Sequence, residues 1–296
     1  MILRIITGVI GILIAAVVIQ FGGVPFVALA ILLSLVGWHE FSSAFGKNGI
    51  ETAYIFGALS LLLLPLCAWI GNTSEILAVL TCATLLIFLL TVFLGRSPVD
   101  SCVSVAGILY IGLPFVHLIW LRFFTEEKNP EASFAAAQNL ANSISAGQID
   151  FMQIFSGANF DTGCALIWIL FACTWASDTF AYFVGSAIGS HKLASSISPN
   201  KTIEGFMGSL AGTTLTGVVV GNFLFGFPLI QMAVAGFILA IVATLGDLVE
   251  SVIKRFTGIK DSGFLIPGHG GVLDRFDSIF YTAPVFYYFV VLSGIV

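Results

Sequence analysis

Residues 229–255 read LIQMAVAGFILAIVATLGDLVESVIKR, a run free of charge from Leu229 to Gly246 that then places Asp247, Glu250, Lys254 and Arg255 in its closing stretch. A segment of that length and apolarity spans roughly 30 Å of hydrocarbon as a helix rising 1.5 Å per residue. Similar runs recur along the whole chain, which is 58% hydrophobic and 9% charged over 296 residues, with a mean hydropathy of +1.06. These runs are continuously apolar, whereas a membrane β-barrel strand alternates lipid-facing and lumen-facing residues. The sequence therefore predicts an all-α, polytopic transmembrane helix bundle and excludes a soluble globule.

Working outward from residue 229, about nine spans are expected: Ile2 to Gln20, Val24 to Phe45, Ala53 to Ile70, Glu75 to Leu94, Cys102 to Phe124, Gly163 to Ile188, Gly205 to Phe225, Leu229 to Ile253, and Ile279 to Ile295. The first has Arg4 before an apolar stretch, as a signal peptide does. No small-residue cleavage site follows, so an uncleaved helix is expected. Lys and Arg are retained on the cytoplasmic side of membrane helices. On this count Arg4, Lys47, Arg96, Lys192, Lys201, Lys254, Arg255, Lys260 and Arg275 share one side, leaving Arg122 and Lys128 on the other. The N-terminus is thus predicted cytoplasmic, in a cell inner membrane, with the loops Gly189 to Glu204 and Lys254 to Asp277 facing the cytoplasm.

One domain covering residues 1–296 is expected: N-terminal spans over 1–124, an external loop over 125–162, and a C-terminal half over 163–296 that carries the chemistry. The loop is acidic, and its FAAAQNLANSI stretch (134–144) is compatible with a short surface helix, although a solvated connector is the plainer reading. The five cysteines have no CxxC spacing and read as small packing residues. Gly208 and Gly212 have the small-xxx-small spacing that lets membrane helices approach closely. The net charge of −5 says little about partners, because the basic residues gather on one face. No nucleic-acid partner is expected.

Three polar constellations interrupt the apolar background. In the first, Asp247, Glu250, Ser251 and Lys254 are spaced i, i+3, i+4 and i+7 and share a helix face. Beyond them GHGGVLDRFD supplies His269, Gly270, Gly271, Asp274, Arg275 and Asp277. Asp247 with Asp274 and Asp277 would form an oxygen-only cluster suited to Mg²⁺, which keeps positions open for substrate phosphates. Gly270 and Gly271 allow backbone N–H groups to approach a phosphate. An intramembrane ion pair of Asp247 with a basic residue is the plain alternative. The second constellation is SSISPNKTIEGF (195–206), where Lys201 supplies a cation and Thr202 with Glu204 precedes an apolar run, offering either a helix-terminus anion site or an ordinary cap. The GxxxxGK[ST] phosphate loop is absent there. The third is WASDTFAYFVG (175–185), where Asp178 is an acid in apolar surroundings, a functional signal by default. His39, Glu40 and His117 lack such clustering and read as helix-packing or interface residues.

Ser251 to Asp277 resembles, along its whole length, the signature of phosphatidate cytidylyltransferases, S-x-x-K-R-x4-K-D followed by H-G-G-x-x-D-R-x-D, with every fixed position filled. SPNKTIEG and the Asp178 region are also similar to their counterparts in that family; Asn200 stands where members often carry a second basic residue. The resemblance implies a membrane enzyme that joins CTP to phosphatidate, giving CDP-diacylglycerol and pyrophosphate for phospholipid synthesis. It implies Mg²⁺, with room for a second, monovalent or divalent cation, and a homodimer in the lipid bilayer. It further implies Asp247 and Asp274 as metal ligands, with Lys254 and Asp178 completing the catalytic group. Lys201, Arg255, Lys260 and Arg275 would bind phosphates together with Ser198, Thr202, Glu204, Ser251, His269, Gly270 and Gly271, while Asp261 and Asp277 would orient ligands. Two readings stay beside this one: a related CTP-dependent enzyme with a different lipid phosphate, and a secondary transporter built on midplane carboxylates.

Overall fold

Apolar sequence that must satisfy its own backbone in lipid folds as helix, and helices dominate the computed structural model, which describes residues 2–71, 73–124, 161–263 and 270–295. They run α1 (Ile2–Phe21), α2 (Gly23–Gly46), α3 (Tyr54–Ile70), α4 (Thr73–Phe93), α5 (Pro98–Arg122), α6 (Thr162–Ile188), α7 (Ile203–Thr216), α8 (Leu229–Thr257), α9 (Leu273–Phe276) and α10 (Ile279–Ser293). Seven segments among the described residues are long and apolar enough to cross a membrane, and Gly11–Phe21 and Tyr54–Ile70 are shorter apolar helices. Each of the nine expected spans coincides with one of these. The chain is a multi-pass, predominantly helical membrane protein. The Phe134 to Ile144 stretch and the rest of its loop up to Phe160, like His269, lie outside the described residues.

α5 is the most enclosed span. Its start is fixed by a capping box: the Ser97 hydroxyl accepts from Val99 N–H at 3.2 Å, the Asp100 carboxylate accepts from Ser97 N–H at 3.3 Å, and Pro98 occupies the first turn. Glycines set the closest helix contacts. Trp38 is fully buried and seated where Gly57 and Gly107 carry no Cβ. On α7, Gly208 and Gly212 lie against Val184 and Phe180 of α6, where any Cβ would collide with those side chains. The packing reading of that pair holds, and α6 against α7 is the most extensive helix contact.

Two local features depart from the plain helix pattern. A two-stranded antiparallel hairpin, β1 (Lys192–Ala194) and β2 (Ser198–Thr202), occupies the loop between α6 and α7. α7 also continues as a π-helical segment, Gly217–Leu224, in which Gly217 and Gly221 press on Met232 of α8. Neither was legible in the apolar periodicity, since strands this short carry too few residues for an alternation to register.

The loops sort into two ends. The Asn48 amide donates to Phe256 O at 2.6 Å, and Arg96 donates to Glu51 O and Thr52 O at 3.1 and 3.0 Å. Lys47, Arg96 and the end of α8 therefore share one end of the bundle. At the other end Arg122, 2% exposed, donates to both Asp161 carboxylate oxygens at 3.0 Å and to Ile19 O at 2.9 Å.

Candidate active site

The charged end of α8 forms one wall of a polar centre. Helical spacing puts Asp247, Glu250, Ser251 and Lys254 on one face, and Gly246 lets α8 pack directly on the backbone of Asp277 and Ser278. That approach brings Asp277 to α8. Asp247, Glu250 and Asp277 each offer a carboxylate oxygen within 4.8 Å of the others. Glu250 is 3% exposed, and its Oε1 is buried with no hydrogen-bond partner among the described residues. Unrelieved, each such pair of ionised oxygens repels by on the order of 3 kcal/mol at an effective dielectric near 20.

Two ammonium groups partly relieve that charge. Lys201, carried in by β2, pairs with Asp247 Oδ2 at 2.7 Å. Lys254 stands between Glu250 Oε2 at 2.6 Å and Asp274 Oδ1 at 3.0 Å. Asp178 of α6, an exposed residue, lies within electrostatic range of Asp247, Lys201 and Arg275. Ser251 Oγ donates to Asp247 Oδ1 at 3.4 Å.

Asp274 is held differently from the other acids. Its Oδ2 accepts from Ser262 N–H at 2.9 Å, Ser262 Oγ at 2.8 Å and Gly271 N–H at 2.8 Å, while Oδ1 takes Lys254. The three-carboxylate cluster is Asp247, Glu250 and Asp277, and Asp274 adjoins it both through Glu250 and through Lys254. Asp277 and Ser278 keep right-handed helical dihedrals, so α9 runs on into α10 with Asp274 and Asp277 both at its start.

Other predicted residues take varied places. Ser198, Ser251, Lys254, Arg255 and Lys260 line one pocket with Ile197 and Ile259. The second and first constellations therefore meet across it, and Arg255 Nε fastens the hairpin by donating to Ile197 O at 3.3 Å. Thr202 is the N-cap of α7, accepting from Gly205 N–H at 3.1 Å. Glu204 turns to the hairpin, where it accepts from His191 Nδ1 at 2.6 Å and Ser190 N–H at 3.1 Å. Arg275 and Asp261 are exposed. Gly270 has φ +82°, a left-handed value that suits glycine, while the Gly271 N–H points to Asp274.

Sequence reasoning missed Glu40. This α2 residue is 4% exposed, and its carboxylate accepts from Val272 N–H and Leu273 N–H, both at 2.9 Å, and from Ser262 Oγ at 3.2 Å. The available signal was the same one used for Asp178: an acid inside an apolar span.

The donor set suits a hard cation. Carboxylate oxygens dominate, they gather within 4.8 Å of one another, and Glu250 Oε1 has no hydrogen-bond partner among the described residues. A cation held by these carboxylates would bind and screen phosphates beside the basic pocket that Lys254 also lines.

Comparisons with known proteins agree with this chemistry. The cytidylyltransferase family model matches residues 2–293. The chain is 36% identical over 292 residues to a phosphatidate cytidylyltransferase of Synechocystis, covering 98% of this chain and 96% of that one. It is 32% identical over 283 residues to the protein of the same name in Staphylococcus haemolyticus, covering 95% and 96%. Against the Bacillus subtilis protein of that name, identity is 42% over 130 residues, covering 43% and 48%.

Proposed function

The chain belongs to the cytidylyltransferase family, and from that premise we propose that it transfers the CMP unit of CTP to phosphatidate within the membrane. A phosphate oxygen of the lipid attacks the α-phosphorus of CTP. The bond from that phosphorus to the oxygen bridging to the β-phosphorus breaks, and pyrophosphate leaves. CDP-diacylglycerol stays in the bilayer, available for phospholipid synthesis. The observation that carries this reading is the cluster Asp247, Glu250 and Asp277 beside a pocket lined by Ser198, Lys254, Arg255 and Lys260.

Both reactants are anions, so the site's first task is to let them meet. Lys254, Arg255 and Lys260 draw the triphosphate into the pocket, and Ser198 and Ser251 hydroxyls stand ready to donate to its oxygens. Asp247, Glu250 and Asp277 would hold Mg²⁺. When bound, it would supply charge neutralisation for the phosphates and for the leaving pyrophosphate. Asp274 we assign to holding Lys254 and the Ser262 turn, in place of the direct ligand role that the resemblance implies. Lys201 keeps Asp247 oriented, and Asp178 adds negative potential that favours the cation. We place the centre at the cytoplasmic face of an inner membrane, because Lys47, Arg96 and Lys254 gather at that end of the bundle.

The test is direct. Purified protein with CTP, Mg²⁺ and phosphatidate yields a CDP-linked lipid and one pyrophosphate per product; chelation by EDTA stops it and added Mg²⁺ restores it. A protein that moves solutes across proteoliposomes but releases no pyrophosphate would refute the reading.

A further inference from the structure

Glu40 is an acid buried in an apolar helix with no cation pairing with it among the described residues, and burying such a group is costly unless donors surround it. Two successive backbone N–H groups do, those of Val272 and Leu273, and the Ser262 hydroxyl lies 3.2 Å away with its one proton shared between Glu40 and Asp274. Their convergence suits a carboxylate, which only accepts. The main chain has been cleared for it as well. A Cβ at Gly263 or at Gly271 would collide with the Glu40 carboxylate, so two glycines of the C-terminal segment are fitted to a side chain from α2.

Ser262 makes the contact more than packing. Its hydroxyl lies 3.2 Å from Glu40 Oε2 and 2.8 Å from Asp274 Oδ2, and its N–H donates to the same Asp274 oxygen. Asp274 in turn holds Lys254, which holds Glu250. A continuous path of hydrogen bonds and ion pairs therefore runs from α2 to the oxygen cluster. Asp277, a member of that cluster, follows the Gly271–Leu273 turn by four residues.

We propose that Glu40 is a positioning residue for the reaction: it fixes the Gly271–Leu273 turn, so that Asp274 aims Lys254 and Asp277 reaches the cation. This inference rests on the cytidylyl-transfer reading above. It makes the N-terminal spans part of the active site, through one carboxylate. Glu40 touches neither substrate nor cation; losing it disturbs geometry, and the loss shows in cation affinity and turnover more than in binding of CTP.

The experiment uses the full chain in detergent with Glu40→Gln, nearly isosteric but with a donor where an acceptor is required, and Glu40→Asp, which keeps the charge one methylene short. Outer-shell partners of this kind typically change cation affinity or activity by about 10- to 100-fold. In Glu40→Gln, Mn²⁺ binding and kcat are expected to fall within that range, with KM for CTP changing by less than about threefold. Amide exchange at Val272 and Leu273 accelerates, and Glu40→Asp recovers part of each loss. Wild-type exchange and wild-type Mn²⁺ affinity in Glu40→Gln would overturn the proposal, as would a loss of activity matched entirely by loss of folded protein. If the wild type makes no CDP-lipid, the reaction reading fails separately, and the exchange and Mn²⁺ measurements still decide the role of Glu40.

Discussion

Two buried charged groups at opposite ends of the bundle make different uses of the same cost. At one end Arg122 is saturated: both oxygens of Asp161 and the carbonyl of Ile19 take its protons, and the Phe123 ring lies 5.9 Å from its guanidinium carbon. Asp161 also caps α6, accepting from Cys164 N–H at 2.7 Å. Every group there has a partner of opposite character. At the other end Asp247, Glu250 and Asp277 crowd together, two lysines answer three acids, and Glu250 Oε1 is left over. An intramembrane charge is therefore not functional by position alone. What separates the two is local balance: the saturated pair holds helices together, and the unbalanced cluster has capacity for something from outside.

The largest effect expected from this contrast is on turnover. Asp277→Asn removes a member of the unbalanced cluster and should lower kcat by about 10³-fold, equivalent to about 4 kcal/mol of barrier, in protein that melts no lower than wild type. A large fall in melting temperature with normal turnover per folded molecule would reverse the assignment of the two ends. At the saturated end Asp161→Asn strands the Arg122 charge. It should destabilise the fold by about 2 kcal/mol, less than a fully enclosed pair because the Asp161 side chain is 44% exposed, and leave kcat unchanged. Thermal melting in detergent alongside the CDP-lipid assay reads both quantities. The smallest effect belongs to the pocket rim, where Lys260→Ala should raise KM for CTP about fivefold at low salt, with the difference shrinking as ionic strength rises.

The contrast also shows what the sequence could and could not convey. Spans were legible because crossing hydrocarbon demands long apolar runs, and each of the nine coincides with a helix. The meeting of Ser198 with Lys254 and Arg255 was legible in part, since both segments are polar islands on one side. Glu250 was recognised on the right helical face but not as a member of the oxygen cluster. Helical spacing gives a face without saying which partner the next segment will present to it. Glu40 was hidden for another reason: an acid inside an apolar span signals a buried partner, but the partner, Leu273, lies 233 positions away. The glycine pair was read as room for a phosphate; Gly271 makes room for a side chain of the same chain.

That fit limits how the molecule can be divided. A chimera joining residues 161–296 to the first spans of a relative would present a signature loop carved around an acid that the graft must supply at position 40. A shortened version lacking α2 would leave a gap between Gly263 and Gly271 that no lipid tail can fill with the right polarity. The smallest portable catalyst is therefore set by the reach of one glutamate, and it extends well beyond the stretch that bears the motif.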